Sequence, residues 1–183
     1  AANALLEHRA DGLILAPVGT DGAYLDVLVS KGVPLVQVDR VIARLKTPAV
    51  KSDNFSAARE AVCWLVERGH RRIACVQARA DSSVIQDRLK GFEEGLRDAG
   101  IAVEDTWIVG KEHSQENARV EALRLLSMKL RPTAVLALSN LLALGLLEAA
   151  QEIGLTMPDE LSIIAFEDRK STRLNSSHSD RSR

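Results

Sequence analysis

The chain has 183 residues, a length that accommodates one ordinary domain or two small lobes. Lys and Arg number 24 against 25 Asp and Glu, hydrophobic residues make up 46% and aromatic residues 3%. This apolar content excludes a chain that is disordered over most of its length. No apolar run reaches the ~20 residues of a membrane span, and so few aromatic residues exclude a stacking platform for single-stranded nucleic acid.

Short apolar runs alternate with amphipathic stretches along residues 1–167. The apolar runs predict strands buried on both faces, and the stretches with helical spacing predict helices. Asp53 and Ser114 are suitable N-caps for two of these helices, and Gly154 follows the last one. This alternation is typical of βαβ units, so the predicted fold class is α/β with parallel sheets flanked by helices. The predicted strands are 13–15, 34–38, 72–77, 106–109, 134–138 and 161–166, and the predicted helices are 55–66, 85–96, 114–128 and 140–153.

Polar side chains follow the predicted strands at the sheet edge where parallel α/β proteins hold their ligands. Asp39 follows the second strand, Ser83 the third, Asn140 the fifth and Glu167 the last. Arg88 stands in the first turns of the helix that follows the third strand. A guanidinium, an amide and carboxylates suit a small ligand rich in hydroxyl or amide groups. The alternative interpretation is that these residues cap helices and form ion pairs at solvated strand ends.

Catalytic and cofactor patterns are weak throughout the sequence. It has no dinucleotide fingerprint, Walker loop or nucleophile elbow, and the glycines of 91–95 lack the context of a phosphate loop. His70 and His113 have no pattern of a general base or metal ligand. Cys63 and Cys75 lie in apolar surroundings and are expected to be buried thiols, which favours a reducing compartment. We therefore predict a protein that is not an enzyme, with no metal and no cofactor.

The composition changes abruptly after Phe166. The run 168–178 looks like a common sequencing adapter translated in frame, which predicts that 168–183 is a foreign tail outside the fold. A basic tail and a nucleic-acid-binding arm are the alternatives. An adapter that begins one base earlier would alter the codon of Glu167, where aspartate is then the alternative. Without the tail the net charge is about −4, which argues against a nucleic-acid surface on this segment.

Eight stretches together resemble the effector-binding core of the LacI/GalR transcriptional regulators. They occur in family order, at family-like spacing, and cover nearly all of 5–167. The stretches are DGLIL at 11–15, GVPLVQVDR at 32–40, VKSDN at 50–54, GHRRI at 69–73, RLKGF at 88–92, RPTAV at 131–135, NLLALG at 140–145 and PDELSIIAF at 158–166.

The resemblance implies a periplasmic-binding-protein-like fold whose two lobes close on an effector. Residues 1–53 would then be part of the N-terminal lobe and 54–167 the C-terminal lobe, in a chain that is incomplete at both ends. The implied ligand is a small polar molecule, carbohydrate or nucleoside-like. The resemblance also implies a cytoplasmic homodimer that touches DNA only through a missing N-terminal helix-turn-helix, and no membrane partner.

The resemblance also assigns the ligand-binding residues one at a time. Asp39 matches the acidic contact of the first lobe, and Asp53 lies at the crossing between the lobes. Arg88 matches the arginine that clamps the effector, Asn140 the amide contact and Glu167 the family's aspartate. The expected ligand-binding residues are therefore Asp39, Asp53, Ser83, Arg88, Asn140 and Glu167.

Two other functions remain open. A solute-binding protein of a sugar transporter shares the fold, and a signal peptide upstream in place of a helix-turn-helix would identify it. The stretch 70–73, the element at Pro158 and the free thiols favour the regulator. An α/β enzyme is disfavoured by the missing nucleophile–base pair, and turnover of a candidate ligand would identify one.

Overall fold

The computed structural model describes residues 10–17, 19, 22–78 and 82–166. Within these residues the chain forms two parallel sheets, one of three strands and one of four. Glu167 and the predicted foreign tail 168–183 lie outside the described residues. In the part that is described, no helix is both long and apolar enough to cross a bilayer.

The first sheet consists of β1 (Leu13–Leu15), β2 (Leu35–Val38) and β3 (Ala49–Val50), with β2 in the middle. A single helical turn at Ala23–Leu25 leads into the short helix α1 (Asp26–Ser30), which connects β1 to β2. The core of this part is small. Its buried residues among those described are Leu25, Leu28, Leu35, Ile42 and Leu45.

One face of the first sheet is open to solvent within the described residues. Ile14 is 79% exposed and Val50 65%, and Val38 on the same face is also exposed. The prediction that every strand is buried on both faces is therefore wrong for this sheet. A parallel strand is buried on both sides only where helices cover both faces, and here the small core lies on one face.

The second sheet has the order β5-β4-β6-β7, and all its strands are parallel. Its two central strands are buried along their whole length, as predicted, whereas β7 is half-buried. The fold class predicted from the sequence is confirmed. The elements in chain order are α2 (Asn54–Glu67), β4 (Ile73–Val76), α3 (Ser83–Asp98), β5 (Ile108–Val109), α4 (Gln115–Leu126), β6 (Ala134–Ala137), α5 (Asn140–Ile153) and β7 (Ser162–Ala165).

Helices cover both faces of the second sheet in pairs, α2 against α3 and α4 against α5. The chain moves one way from β4 to β5 and the other way from β6 to β7, so right-handed crossovers put α3 and α5 on opposite faces. Glycines let each pair approach closely. A Cβ at Gly91 would overlap the Phe55 carbonyl oxygen, and one at Gly145 would overlap that of Gln115. Gly91 therefore serves helix packing.

The predicted helix caps are confirmed, although the helix bounds shift by one or two residues at some ends. The carboxylate of Asp53 accepts a hydrogen bond from the Ser56 amide, the Ser114 hydroxyl accepts one from the Asn117 amide, and Gly154 ends α5 with φ of 81°. Two details differ from the prediction. Phe55, expected on the buried face of α2, is 38% exposed, and 105–107 forms a helical turn, which shortens the predicted strand 106–109 to two residues.

Candidate functional site

The carboxyl ends of β4 and β6 lie side by side in the middle of the second sheet, and the chain leaves them in opposite directions. A parallel sheet opens a crevice at such a switch point, where ligands bind. The chain after β4 leads into α3, which begins with Ser83 and carries Arg88. The chain after β6 leads into α5, which begins with Asn140. The predicted site residues of the second lobe thus flank this crevice.

Arg88 is buried at this crevice, with 7% of its surface exposed. Its Nη1 donates a hydrogen bond of 2.7 Å to the Leu138 carbonyl, directly after β6. Its Nε donates one of 2.8 Å to Oδ1 of Asn54, at the start of α2. The guanidinium also lies over the Phe166 ring, 4.1 Å from its centre, directly after β7. Arg88 therefore joins the chain between the two sheets to the ends of two strands.

Asn54 holds Arg88 from the side of the crossing and is itself 97% buried. Both its backbone amide and its Nδ2 donate hydrogen bonds to the Ser52 carbonyl, at 2.9 and 3.2 Å. The side-chain oxygen is thereby fixed towards Arg88. Ser52, Asn54 and Arg88 therefore form one hydrogen-bonded unit, which connects the backbone before α2 to the guanidinium.

Ser139 and His113 bring the end of β5 to the same crevice. Nε2 of His113 lies 3.1 Å from the Ser139 hydroxyl, and Ser139 is the N-cap of α5. Asn140 follows Ser139 and is half-buried. An imidazole, a hydroxyl and an amide beside a guanidinium form a polar cluster that can both donate and accept hydrogen bonds.

Asp39 stands at the corresponding end of β2 in the first sheet and is exposed. Its φ is 66°, in the left-handed region that few residues other than glycine adopt. The buried Gln37 supports the chain that follows, because its Oε1 accepts from the Ile42 amide at 2.7 Å and its Nε2 donates to Thr47. The buried Gln37 side chain therefore fixes the loop that carries Asp39.

Two contacts connect the first sheet's loops to α3. The Val41 amide donates a hydrogen bond of 3.0 Å to the Ser83 hydroxyl. Nζ of Lys51, directly after β3, forms an ion pair of 2.9 Å with Asp87. Ser83, predicted as a ligand contact, therefore holds the loop of the first lobe against the N-terminus of α3.

Asp53 is exposed and acts as the N-cap of α2. The hydrogen bonds from Ser56 lower the pKa of this carboxyl below its ordinary value, so Asp53 is charged at neutral pH. Glu167 lies outside the described residues, one position beyond Phe166. Among the described residues, no group of three His, Cys, Asp or Glu side chains is placed to hold a metal ion.

Sequence reasoning missed four residues that build this site, namely Gln37, Asn54, His113 and Phe166. Asn54 lies in the stretch 50–54 that resembles the family, but the resemblance assigns a ligand-binding role only to the neighbouring Asp53. Local spacing gave no signal for His113, because its contact to Ser139 spans 26 residues of sequence. The signal that could have found Phe166 and His113 is their position after a strand, because ligands bind outside the carboxyl ends of parallel strands.

These features are those of a known class of protein. Residues 62–178 match the family model of the periplasmic binding protein-like domain. The chain therefore belongs to the periplasmic binding protein-like family. The match runs into the segment 168–178, whose foreign origin stays a prediction.

The relatives that this chain resembles are transcriptional regulators, which confirms the predicted likeness to the LacI type. The HTH-type transcriptional repressor CytR of Escherichia coli (strain K12) is 36% identical over 134 residues, covering 73% of this chain and 39% of that protein. The ribose operon repressor of Haemophilus influenzae is 31% identical over 164 residues, covering 90% and 49%. A crystal structure of a LacI-family regulatory protein from Chloroflexus aggregans superposes with a TM-score of 0.81 at 32% identity, covering 89% of this chain and 59% of that one.

The chain spans about half or less of the length of these two curated relatives. The likeness therefore concerns the ligand-binding core, and what the whole protein binds and controls is a proposal.

Proposed function

We propose that this chain is the effector-sensing core of a LacI-type transcriptional regulator. It binds a small polar ligand between its two lobes, and the ligand controls DNA binding by a helix-turn-helix domain outside this chain. The observation that carries the proposal is Arg88, a buried guanidinium that touches the lobe crossing and two strand ends at the switch point of the sheet. Buried charges at such a position are costly and are typical of ligand sites.

The ligand that suits this crevice is a carbohydrate or nucleoside-like molecule. Arg88 offers charge-assisted donors to hydroxyl or carbonyl oxygens, and Asn140, His113 and Asp39 add an amide, an imidazole and a carboxylate. A relative that is named as a ribose operon repressor is consistent with a carbohydrate ligand. Ser83 and Asp53 contribute indirectly, by holding the loop of the first lobe and the start of α2.

Ligand binding can control the DNA-binding domain because the lobes are joined at a few polar contacts near the ligand. A ligand that touches both Asp39 and Arg88 favours the closed arrangement over the open one, and its effect equals its difference in affinity for the two. The intact protein acts as a cytoplasmic homodimer, so that closure changes the spacing of two DNA-binding heads.

The experiment that tests this proposal uses the intact gene product and the DNA upstream of its own gene. Fluorescence anisotropy measures DNA affinity with and without ribose, other simple sugars, adenosine and cytidine. We expect one of these ligand classes to change the DNA affinity severalfold, and Arg88→Lys to abolish the change while leaving ligand-free DNA binding intact. A protein that binds a sugar but no DNA would instead be a solute-binding protein.

A further inference from the structure

The edge of the second sheet opposite the candidate effector site contains a cavity of about 400 Å³. It lies where the chain enters β4, β5 and β6, beside the C-terminal half of α3. Phe92 and Leu96 of α3 line it, with Trp107 before β5 and with Met128 and Leu130 before β6. Cavities of ~300–1,000 Å³ with apolar walls are the size that holds small organic ligands.

The apolar wall continues onto the open surface. Leu130 is 70% exposed and Met128 39%, whereas Phe92 is 99% buried. A ligand that entered the cavity would therefore remove exposed apolar surface from water, which stabilises the complex in proportion to the area removed.

Two arginines, Arg71 and Arg72, line the same cavity. Nη1 of Arg71 donates to the carbonyls of Val66 and His70, at 2.9 and 3.0 Å, and Nε of Arg72 donates to the carbonyl of Arg131 at 3.0 Å. These bonds fix both side chains and leave further N–H groups of each guanidinium for a ligand.

No described carboxylate lies within ion-pairing distance of Arg71 or Arg72. Arg40 and Arg68 also have no ion pair with a described residue, whereas six other arginines of the described chain are each paired with an acidic side chain. These are Arg44, Arg59, Arg97, Arg119, Arg124 and Arg131. Two fixed and uncompensated guanidinium groups beside an apolar cavity are complementary to an anion that carries an apolar tail.

We propose that this cavity is a second ligand site, which binds a small amphiphilic carboxylate. The carboxylate accepts hydrogen bonds from Arg71 and Arg72, and the aliphatic tail lies against Trp107 and Leu130. Glu104 also lines the cavity and opposes the anion by charge repulsion. A site at this edge leaves the crevice around Arg88 open, so a second small molecule can bind while the effector is bound.

The test titrates the whole chain with octanoate, which has one carboxylate and a short aliphatic tail. Trp64→Phe removes the other tryptophan of the chain, so the remaining fluorescence reports on Trp107. We expect a saturable change with octanoate and a much weaker one with 1-octanol, which has the same tail and no charge. Equal binding of octanol would overturn the proposal, as would the absence of saturation at millimolar octanoate.

Single substitutions at residues that line the cavity distinguish specific octanoate binding from nonspecific binding to exposed apolar surface. Arg72→Ala is expected to weaken octanoate binding by about tenfold, the scale of one lost charge-assisted hydrogen bond. Glu104→Gln is expected to tighten it. Arg68→Ala is the matched control, because Arg68 stacks on the side chain at position 64 and is not among the residues that line the cavity. This variant should bind octanoate as the parent does. Unchanged binding in Arg72→Ala, or self-association that Leu130→Ser abolishes, would contradict the site.

Discussion

Asn54→Ala is the change that most directly tests the hydrogen-bonded unit at the crossing. It removes the acceptor of the buried Arg88 Nε bond and the donor of the part-buried bond to the Ser52 carbonyl. A hydrogen bond to a charged group contributes about 1.5–3 kcal/mol, and a neutral one about 1 kcal/mol. We therefore expect the free energy of unfolding to fall by roughly 3 kcal/mol, a large part of the ~5–15 kcal/mol of a typical domain.

Urea unfolding followed by circular dichroism measures this loss of stability. Two further variants test whether the loss comes from the buried bond to Arg88. Asn117→Ala is the control, because the Asn117 side chain, like that of Asn54, makes two hydrogen bonds. Its oxygen accepts both, from the amides of Lys111 and Glu112, and they lie at the surface. It should cost clearly less than Asn54→Ala. In Arg88→Met the guanidinium is absent, so Asn54→Ala should then cost less by about 1.5–3 kcal/mol. An equal loss with and without Arg88 would refute the coupling.

Three other outcomes follow from the structure. Gly91→Ala should destabilise the fold by about 1–3 kcal/mol in the same assay, because its Cβ meets the Phe55 carbonyl and forces α2 from α3; an unchanged midpoint would refute this close approach. Burial lowers the pKa of His70, so the unfolded chain binds more protons as the pH falls through about 6.5, and stability should fall with it. His70→Gln should flatten that dependence, and an identical pH profile would contradict it. Hydrogen exchange should show strong protection within 55–165 and weak protection within 10–50, where the core is small and one sheet face is open; equal protection of the two ranges would contradict the predicted division at residue 53.

The second sheet and its helices were predictable because these elements are long and their patterns are regular. Ala58, Val62 and Leu65 recur at helical spacing, and all are fully buried on α2. The central strands are continuous apolar runs with helices on both sides. Here the local pattern and the tertiary packing favour the same structure.

The first sheet and the segments around it were harder to predict because these elements are short. The strand Ala49–Val50 and the helix Asp26–Ser30 have too few residues for a periodic pattern. The apolar side chain of Ile14 predicts a buried strand residue, but its actual exposure depends on whether helices cover that face of the sheet. That is a property of the whole fold.

The candidate site was predictable as a location and less so as a set of contacts. Arg88 and Asn140 were predictable as site residues because they follow strands of a parallel sheet. In the structure both lie on the helices that begin at the switch point. Asn54 and His113 reach their partners across 34 and 26 residues of sequence. No local spacing indicates such contacts. Asp53 is the N-cap of α2, as its position before the helix predicts, and its role in ligand binding stays a prediction.

Calorimetric titration of the intact protein with its effector tests the central claim most directly, and Arg88→Lys is the decisive variant. Lysine keeps the charge but cannot reproduce the planar fork of the guanidinium. The account predicts that Arg88→Lys weakens effector binding by at least about tenfold, whereas Arg68→Lys, on the outer surface of the lobe, does not. Wild-type affinity in a folded Arg88→Lys protein would contradict the assignment of this crevice as the effector site.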